Sequence, residues 1–277
     1  MSYQVQFISL RHLASGGNGD LYVGQLRNSG ATAVLKVLRE FRDPHARRAF
    51  GREVEILRRN VPGVVALLFA DTRGEQPYYV MPFLAGGPLS QYAGRLDAPR
   101  VHRVALELAR TLAHFHASVG SHGDYKPANL LVSSTGELKV ADPSGNGFGC
   151  TLFLPQNPAG TPGYWAPEVA AKGISREGDV FSFGATLYEL VSGSPPRDGQ
   201  RFEATAWQRN FSPKLWEIIA CCCQTDPRSR PTMQEVVSML EGRSWQDIQD
   251  FRARTNEFWK GVGAAAAIAV VIGALAR

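Results

Sequence analysis

A chain of 277 residues with 44% hydrophobic and 20% charged residues can bury a substantial core, which excludes a disordered chain and leaves one large domain or two lobes. The net charge of +5 comes partly from Arg39, Arg42, Arg47, Arg48, Arg52, Arg58 and Arg59, a helical-looking cluster that reads as a solvated face and not as a nucleic-acid site. The four cysteines, Cys150 and the run Cys221, Cys222 and Cys223, contain no C-x-x-C pair and have no histidine at metal spacing, so they read as small core residues in a reducing compartment.

The N-terminus lacks a basic-then-apolar leader, so no signal peptide is expected. Through about Tyr79, apolar and polar residues alternate in short runs that predict strands around one helix. Within this part, Leu13 to Val23 reads LASGGNGDLYV, and Gly16, Gly17 and Gly19 leave backbone amides bare enough to approach phosphate. Taken alone, the same run also fits a plain glycine-rich hairpin. In the helical stretch after it, Phe50, Val54 and Leu57 recur at three-to-four-residue spacing, with Glu53 bordering their face and Glu55 turned to water. From about Ser90 the period becomes helical, with predicted helices at Val101 to His116, Asp179 to Leu190 and Met233 to Leu240.

His122 to Leu131, HGDYKPANLL, sets an acid, an amine and an amide at fixed offsets before an apolar strand-like run. Asp124 can accept a proton from a hydroxyl nucleophile, Lys126 can neutralise a transferring phosphoryl group, and Asn129 can offer an oxygen to Mg2+. The run resembles the catalytic loop of the eukaryotic-type (Hanks-type) serine/threonine protein kinases, whose pattern is H-R-D-x-K-x-x-N, and departs from it at Gly123, where the family usually has Arg.

Other resemblances follow in family order. The glycine run is similar to the nucleotide-covering G-x-G-x-x-G loop, with Ala14 at the first glycine, and Ala33 to Lys36 (AVLK) resembles the V-A-I-K strand, which makes Lys36 the nucleotide-positioning lysine and Glu53 its carboxylate partner. Tyr78 to Leu89 (YYVMPFLAGGPL) resembles the hinge, with Met81 as gatekeeper and adenine bonded to the Pro82 carbonyl and the Leu84 amide; proline costs little there because the contact uses its C=O. Leu138 to Gly145 (LKVADPSG) places Asp142 where the family has its metal-binding aspartate, while Pro143 and Ser144 replace Phe and Gly. Gly160 to Glu168 (GTPGYWAPE) resembles the end of the activation segment, with Thr161 bridging Asp124 and Lys126 and Glu168 paired to Arg230; Asp179 resembles the aspartate that braces the catalytic loop.

The resemblance implies an α+β, bilobal protein-kinase fold that transfers the γ-phosphate of ATP to Ser or Thr hydroxyls of protein substrates, including by autophosphorylation. It implies catalytic roles for Asp124, Lys126, Lys36, Glu53 and Thr161 and a nucleotide site of Leu13, Gly16, Gly17, Gly19, Leu21, Ala33, Lys36, Met81, Pro82, Leu84, Lys126, Asn129, Leu131 and Asp142. Asn129 and Asp142 would hold Mg2+, or Mn2+ in its place, and no nucleic-acid partner is implied. The alternatives are a pseudokinase scaffold, suggested by Ala14, Gly123, Pro143 and Ser144, and a kinase of small molecules, disfavoured by the GTPGYWAPE segment. Gly123 implies that activity is independent of activation-segment phosphorylation, because no guanidinium is there to grip the phosphate. His122 reads as a core residue behind the loop, and His114 and His116 as packing and surface.

The expected layout is an N-lobe over 1–83, a C-lobe over 84–243, a juxtamembrane linker over 244–260 and a C-terminal membrane helix over 261–276. That last stretch, GVGAAAAIAVVIGALA, is short for a span and also fits a packed or frayed alanine-rich helix. Phe258 and Trp259 suit a membrane interface, and Arg252, Arg254 and Lys260 agree with a cytoplasmic kinase domain anchored to the inner membrane of a bacterium.

Overall fold

The computed structural model describes residues 6–15, 19–143, 163–199, 202, 212–255 and 257. The first half of these is organised by an antiparallel sheet in the order β1 (Phe7–Ser15), β2 (Gly19–Leu26), β3 (Thr32–Leu38), β5 (Tyr78–Pro82), β4 (Phe69–Asp71). Helix α1 (Pro44–Arg58) packs on one face of it. Asp43 starts this helix by accepting the His45 and Ala46 N–H groups, at 2.9 and 3.3 Å, and Pro44 supplies a backbone already set for the first turn. Phe50, Val54 and Leu57 are buried and Glu55 is exposed, the face the spacing predicts.

Strand β3 pairs on both sides without a register shift, and its two faces have different fates. Val34, Lys36 and Leu38 of β3 point toward α1, whereas Ala33, Leu35 and Val37 point away and pack with Tyr78 and Val80 of β5. Gly19 opens β2 where a Cβ would lie 2.4 Å from the Val37 carbonyl oxygen, so the close β2–β3 approach needs a glycine independently of any phosphate.

The second half is helical: α2 (Ala98–Ser118), α3 (Val169–Lys172), α4 (Arg176–Ser192), α5 (Pro213–Cys222) and α6 (Met233–Leu240). Each of the longer ones has its own start signal. Asp97 caps α2 and Ser175 caps α4 through the Gly178 N–H at 3.0 Å, while Thr232 and Glu235 form a reciprocal capping box on α6. Cys221 and Cys222 lie in the core of α5, and burial pushes their thiols up, Cys221 to about 11, which agrees with their reading as inert packing residues. Cys150 lies outside the described residues.

A small sheet, β6 (Gly87–Pro88), β7 (Leu130–Val132) and β8 (Leu138–Val140), lies under the cleft between the halves. Val65 N–H donates to Val140 O at 2.9 Å and Val140 N–H to Gly63 O at 2.8 Å, stitching the chain after α1 to this sheet. Gly63 turns there at φ 81°, with Thr111 where a side chain would have to go.

One expectation needs correction. Residues 245–255, read as linker, form a further helix, α7, docked on the helical half: Ser244 and Asp247 cap it reciprocally, Ile248 is buried, and Arg252 pairs with Glu235. Its polar sequence hides two apolar anchors, Trp245 and Ile248, and one long-range ion pair, which periodicity does not register. The stretch 261–276 lies outside the described residues, and among those described no helix is long and apolar enough to cross a membrane.

Candidate active site

The residues predicted for chemistry fall into two clusters. The upper one grows from the sheet. Lys36 donates to Glu53 Oε1 at 2.8 Å and also contacts Asp142 Oδ1; Lys36 and Glu53 are both buried. Leu21 lies opposite Lys36 in the β2–β3 register, and Met81 lies opposite Val34 in β3–β5. Directly paired residues share a face, so Leu21, Val34, Lys36, Tyr79 and Met81 line one wall.

Ala33 is not part of that wall. It belongs to the opposite face, and Val34 takes the place assigned to it, because a shift of one residue along a strand turns a side chain to the other side. The segment read as the hinge passes through Pro82 and Leu84, both half-buried, with Phe83 N–H donating to Thr32 O at 3.2 Å. Leu13 is exposed at the end of β1, and Leu131 is half-buried on β7. Gly16, Gly17 and Thr161 lie outside the described residues, as do Gly160, Pro162 and Ser144.

Charge in the upper cluster is distributed by burial and by Lys36. Burial is the largest influence on Glu53 and pushes its carboxyl up to about 7, against the pull of the Lys36 ammonium and the Tyr79 hydroxyl. Burial also opposes ionisation of Asp142, yet Lys36 outweighs it and holds that carboxyl down at about 2. Asp142 is therefore the stronger acid of the two, and 44% of its side chain remains exposed to the cleft. For Lys36 burial works against the charge, but the surrounding Glu53, Tyr79 and Asp142 keep its pKa well above the usual value. Asp142 adopts φ 56°, a left-handed conformation that costs a non-glycine residue about 1–3 kcal/mol and is kept only where the surroundings impose it.

The lower cluster is the loop between α2 and β7. Lys126 Nζ donates to both Asp124 oxygens, at 3.0 and 2.8 Å, and Asn129 Nδ2 donates to the Asp124 carbonyl and to Oδ2, at 2.8 and 2.9 Å. Those bonds turn the Asn129 amide oxygen to the other side. The loop backbone is gripped from beneath by buried Asp179, which accepts the His122 N–H at 2.6 Å and the Gly123 N–H at 2.8 Å. Gly123 sits at φ 86°, where a side chain is strained.

His122 is wholly buried between Phe115 and Tyr125, its Nδ1 accepting the Asp124 N–H at 3.3 Å and its Nε2 placed 3.1 Å from Ala141 O. Burial lowers its pKa, and the two contacts suit a neutral ring with the proton on Nε2. It is a strut between the loop and the segment after β8 that carries Asp142. His116, read as packing or surface, instead lies 3.0 Å from Asp179 Oδ2. That pairing joins residues 63 apart, beyond any local pattern, so spacing could not have found it.

Glu168 and Arg230 meet in a two-pronged pair at 2.5 and 2.9 Å, and Arg230 also donates to the Glu177, Gln224 and Thr225 carbonyls. This fastens the segment following residue 163 to the base of the helical half.

The protein kinase domain profile matches residues 7–240. The chain belongs to the protein kinase family. It is 32% identical over 217 residues to the DNA damage-responsive serine/threonine-protein kinase RqkA of Deinococcus radiodurans, covering 73% of this chain and 32% of that protein. It is 30% identical over 263 residues to the serine/threonine-protein kinase STY46 of Arabidopsis thaliana, covering 84% of this chain and 44% of that one. A third relative, CBL-interacting protein kinase 22 of Oryza sativa, is 31% identical over 269 residues, 82% of this chain and 59% of that protein. The chain thus spans a third to three-fifths of the length of these curated relatives.

Proposed function

We propose that this chain is an ATP-dependent serine/threonine protein kinase whose chemistry lies between the two clusters. The observation that carries the reading is the convergence of Lys126 and Asn129 on the Asp124 carboxylate. Asp124 orients the acceptor hydroxyl and takes its proton as the oxygen bonds to phosphorus and ADP leaves. Lys126 offsets charge on the transferred group, and Lys36, held by Glu53, positions the phosphates that precede it.

Asp142 and Asn129 fit a Mg2+ ion. They offer two hard oxygens of the kind Mg2+ prefers and would hold the ion. ATP would supply the phosphoryl group, and the ion would offset the charge on its oxygens. Leu21, Val34, Met81 and Leu131 would enclose the adenine, and the hinge backbone at Pro82 and Leu84 would bond it. Gly16, Gly17, Gly19 and Leu13 are proposed to cover the nucleotide and Thr161 to bridge Asp124 and Lys126, on the resemblance alone.

The scaffold alternative finds no support, since Lys36, Asp124 and Asp142, the groups whose loss would mark it, are all present. The lobe division at 83/84 and anchoring through 261–276 remain proposals from sequence; flotation of the full chain with lipid vesicles, compared with residues 1–257, tests the anchor. The deciding assay is transfer from labelled ATP with Mg2+ to the chain itself and to a generic protein acceptor. Transfer that Asp124→Asn and Asp142→Asn both abolish supports the assignment; wild type that binds ATP yet transfers nothing overturns it. Phosphatase treatment that removes most of the activity would count against independence from activation-segment phosphorylation.

A further inference from the structure

Tyr79 stands beside the phosphate-positioning pair with a hydroxyl that none of the steps above uses. The β3–β5 register places it opposite Lys36, and its ring lies 5.6 Å from the Lys36 ammonium and 5.4 Å from the Phe50 ring of α1. Its hydroxyl donates at 2.6 Å to Glu53 Oε1, the same oxygen that accepts from Lys36 at 2.8 Å. Three elements therefore meet on one carboxylate oxygen: β3 through Lys36, β5 through Tyr79 and α1 through Glu53.

A glutamate held by a single ammonium can swing about three side-chain torsions and take the lysine with it. A second donor from another direction removes that freedom, and a phenol delivers it from only two torsions on a paired strand. The rest of α1 leads back to the same part of the chain. Arg47 donates to the carbonyls of Phe41, Gly74 and Glu75 at 3.1, 2.8 and 2.9 Å, tying the start of the helix to the connection that enters β5.

We infer that Tyr79 is a positioning residue for phosphoryl transfer, its hydroxyl clamping Glu53 Oε1 so that Lys36 is held at one place in the cleft. The inference rests on the kinase reading for what Lys36 then contacts. It also supplies a reason for the proposed independence from activation-segment phosphorylation: the Lys36–Glu53 contact is built into the strand sequence and does not wait for a distant loop. The competing account is that the phenol only satisfies its own need for a partner when buried.

Tyr79→Phe separates the two accounts, because it keeps the ring on Phe50 and deletes only the oxygen. In the full-length chain, kcat/KM for ATP and the equilibrium affinity for ATP are measured alongside Tm, in the wild-type and Glu53→Gln backgrounds. Loss of one hydrogen bond to a charged group predicts a fall in kcat/KM of about ten-fold with Tm within a few degrees of wild type. In the Glu53→Gln background the same substitution is expected to change kcat/KM less than about two-fold, the signature of residues acting as a unit. An unchanged kcat/KM, an equal fall in both backgrounds, or a fall that only follows a lowered Tm would overturn the inference. Should the wild type transfer no phosphate, the kinase reading fails by itself, and the same cycle on ATP affinity still decides whether Tyr79 acts through Glu53.

Discussion

Glu53 and Asp179 are both buried carboxylates beside the cleft, at 4% and 1% exposure, yet they are held in opposite ways. Glu53 is met by side chains, the Lys36 ammonium and the Tyr79 hydroxyl, which can rotate away. Asp179 is met by the His122 and Gly123 backbone N–H groups, which cannot move without the loop moving, with the His116 ring as a third contact. The first arrangement suits a group proposed to meet a ligand; the second fixes the shape of its loop. Both side chains are buried, so the difference lies in what each carboxylate is coupled to.

Substitutions that break the two clusters should sort accordingly. The largest effect is expected from Asp124→Asn, which leaves the fold intact but removes the proposed proton acceptor, lowering kcat roughly 10²- to 10⁴-fold with an unchanged thermal transition. Single-turnover kinetics beside calorimetry checks both halves of that statement. Asp179→Ala should instead appear first as instability: each stranded buried N–H costs about 1–3 kcal/mol, so two cost roughly 2–6 kcal/mol in urea unfolding. An unchanged midpoint would mean that the loop holds its shape without the brace.

Glu53→Gln sharpens the contrast. Hydrogen bonds to charged groups contribute about 1.5–3 kcal/mol, so kcat/KM should fall roughly 10- to 100-fold. Stability should change little, because Asp142 still holds Lys36 and a neutral amide is easier to bury. Urea unfolding beside steady-state kinetics would show whether the two quantities part as expected.

The smallest expected effect is on pH. The native Glu53 carboxyl, pushed up to about 7 from an ordinary 4.5, binds its proton more tightly than the unfolded chain does, so its contribution to stability grows as pH falls from about 7 toward 4.5. Asp142 has the opposite sign. Its native value of about 2 lies below the ordinary 3.8, so its stabilisation is present above about pH 4 and is lost as pH falls toward 2. Unfolding curves between pH 7 and 5 should therefore flatten in Glu53→Gln and stay sloped in Asp142→Asn.

Much of this arrangement was legible because short-range chemistry dictates it. The offsets within HGDYKPANLL put Lys126 and Asn129 within five residues of Asp124, and the three-to-four spacing of Phe50, Val54 and Leu57 selected Glu53 over Glu55. Ala33 shows the limit of that reading: a motif matched one residue out of register turns the wrong side chain to the cleft, and only the strand pairing corrects it. The hydroxyl of Tyr79, an aromatic residue in an apolar strand, gave no signal of its own. Its meaning depends on a carboxylate 26 positions earlier.

By itself, the order of residue types determined the family, the α+β division and the residues offered for chemistry, since caps, periodicity and loop motifs act over a few positions. Only the tertiary structure decided which oxygen each donor reaches, that His116 joins Asp179, that residues 245–255 dock as a helix and that Val34 faces the cleft in place of Ala33. Those outcomes depend on contacts between distant segments, where burial makes each unmet polar group costly and so selects one arrangement among the many that local pattern allows.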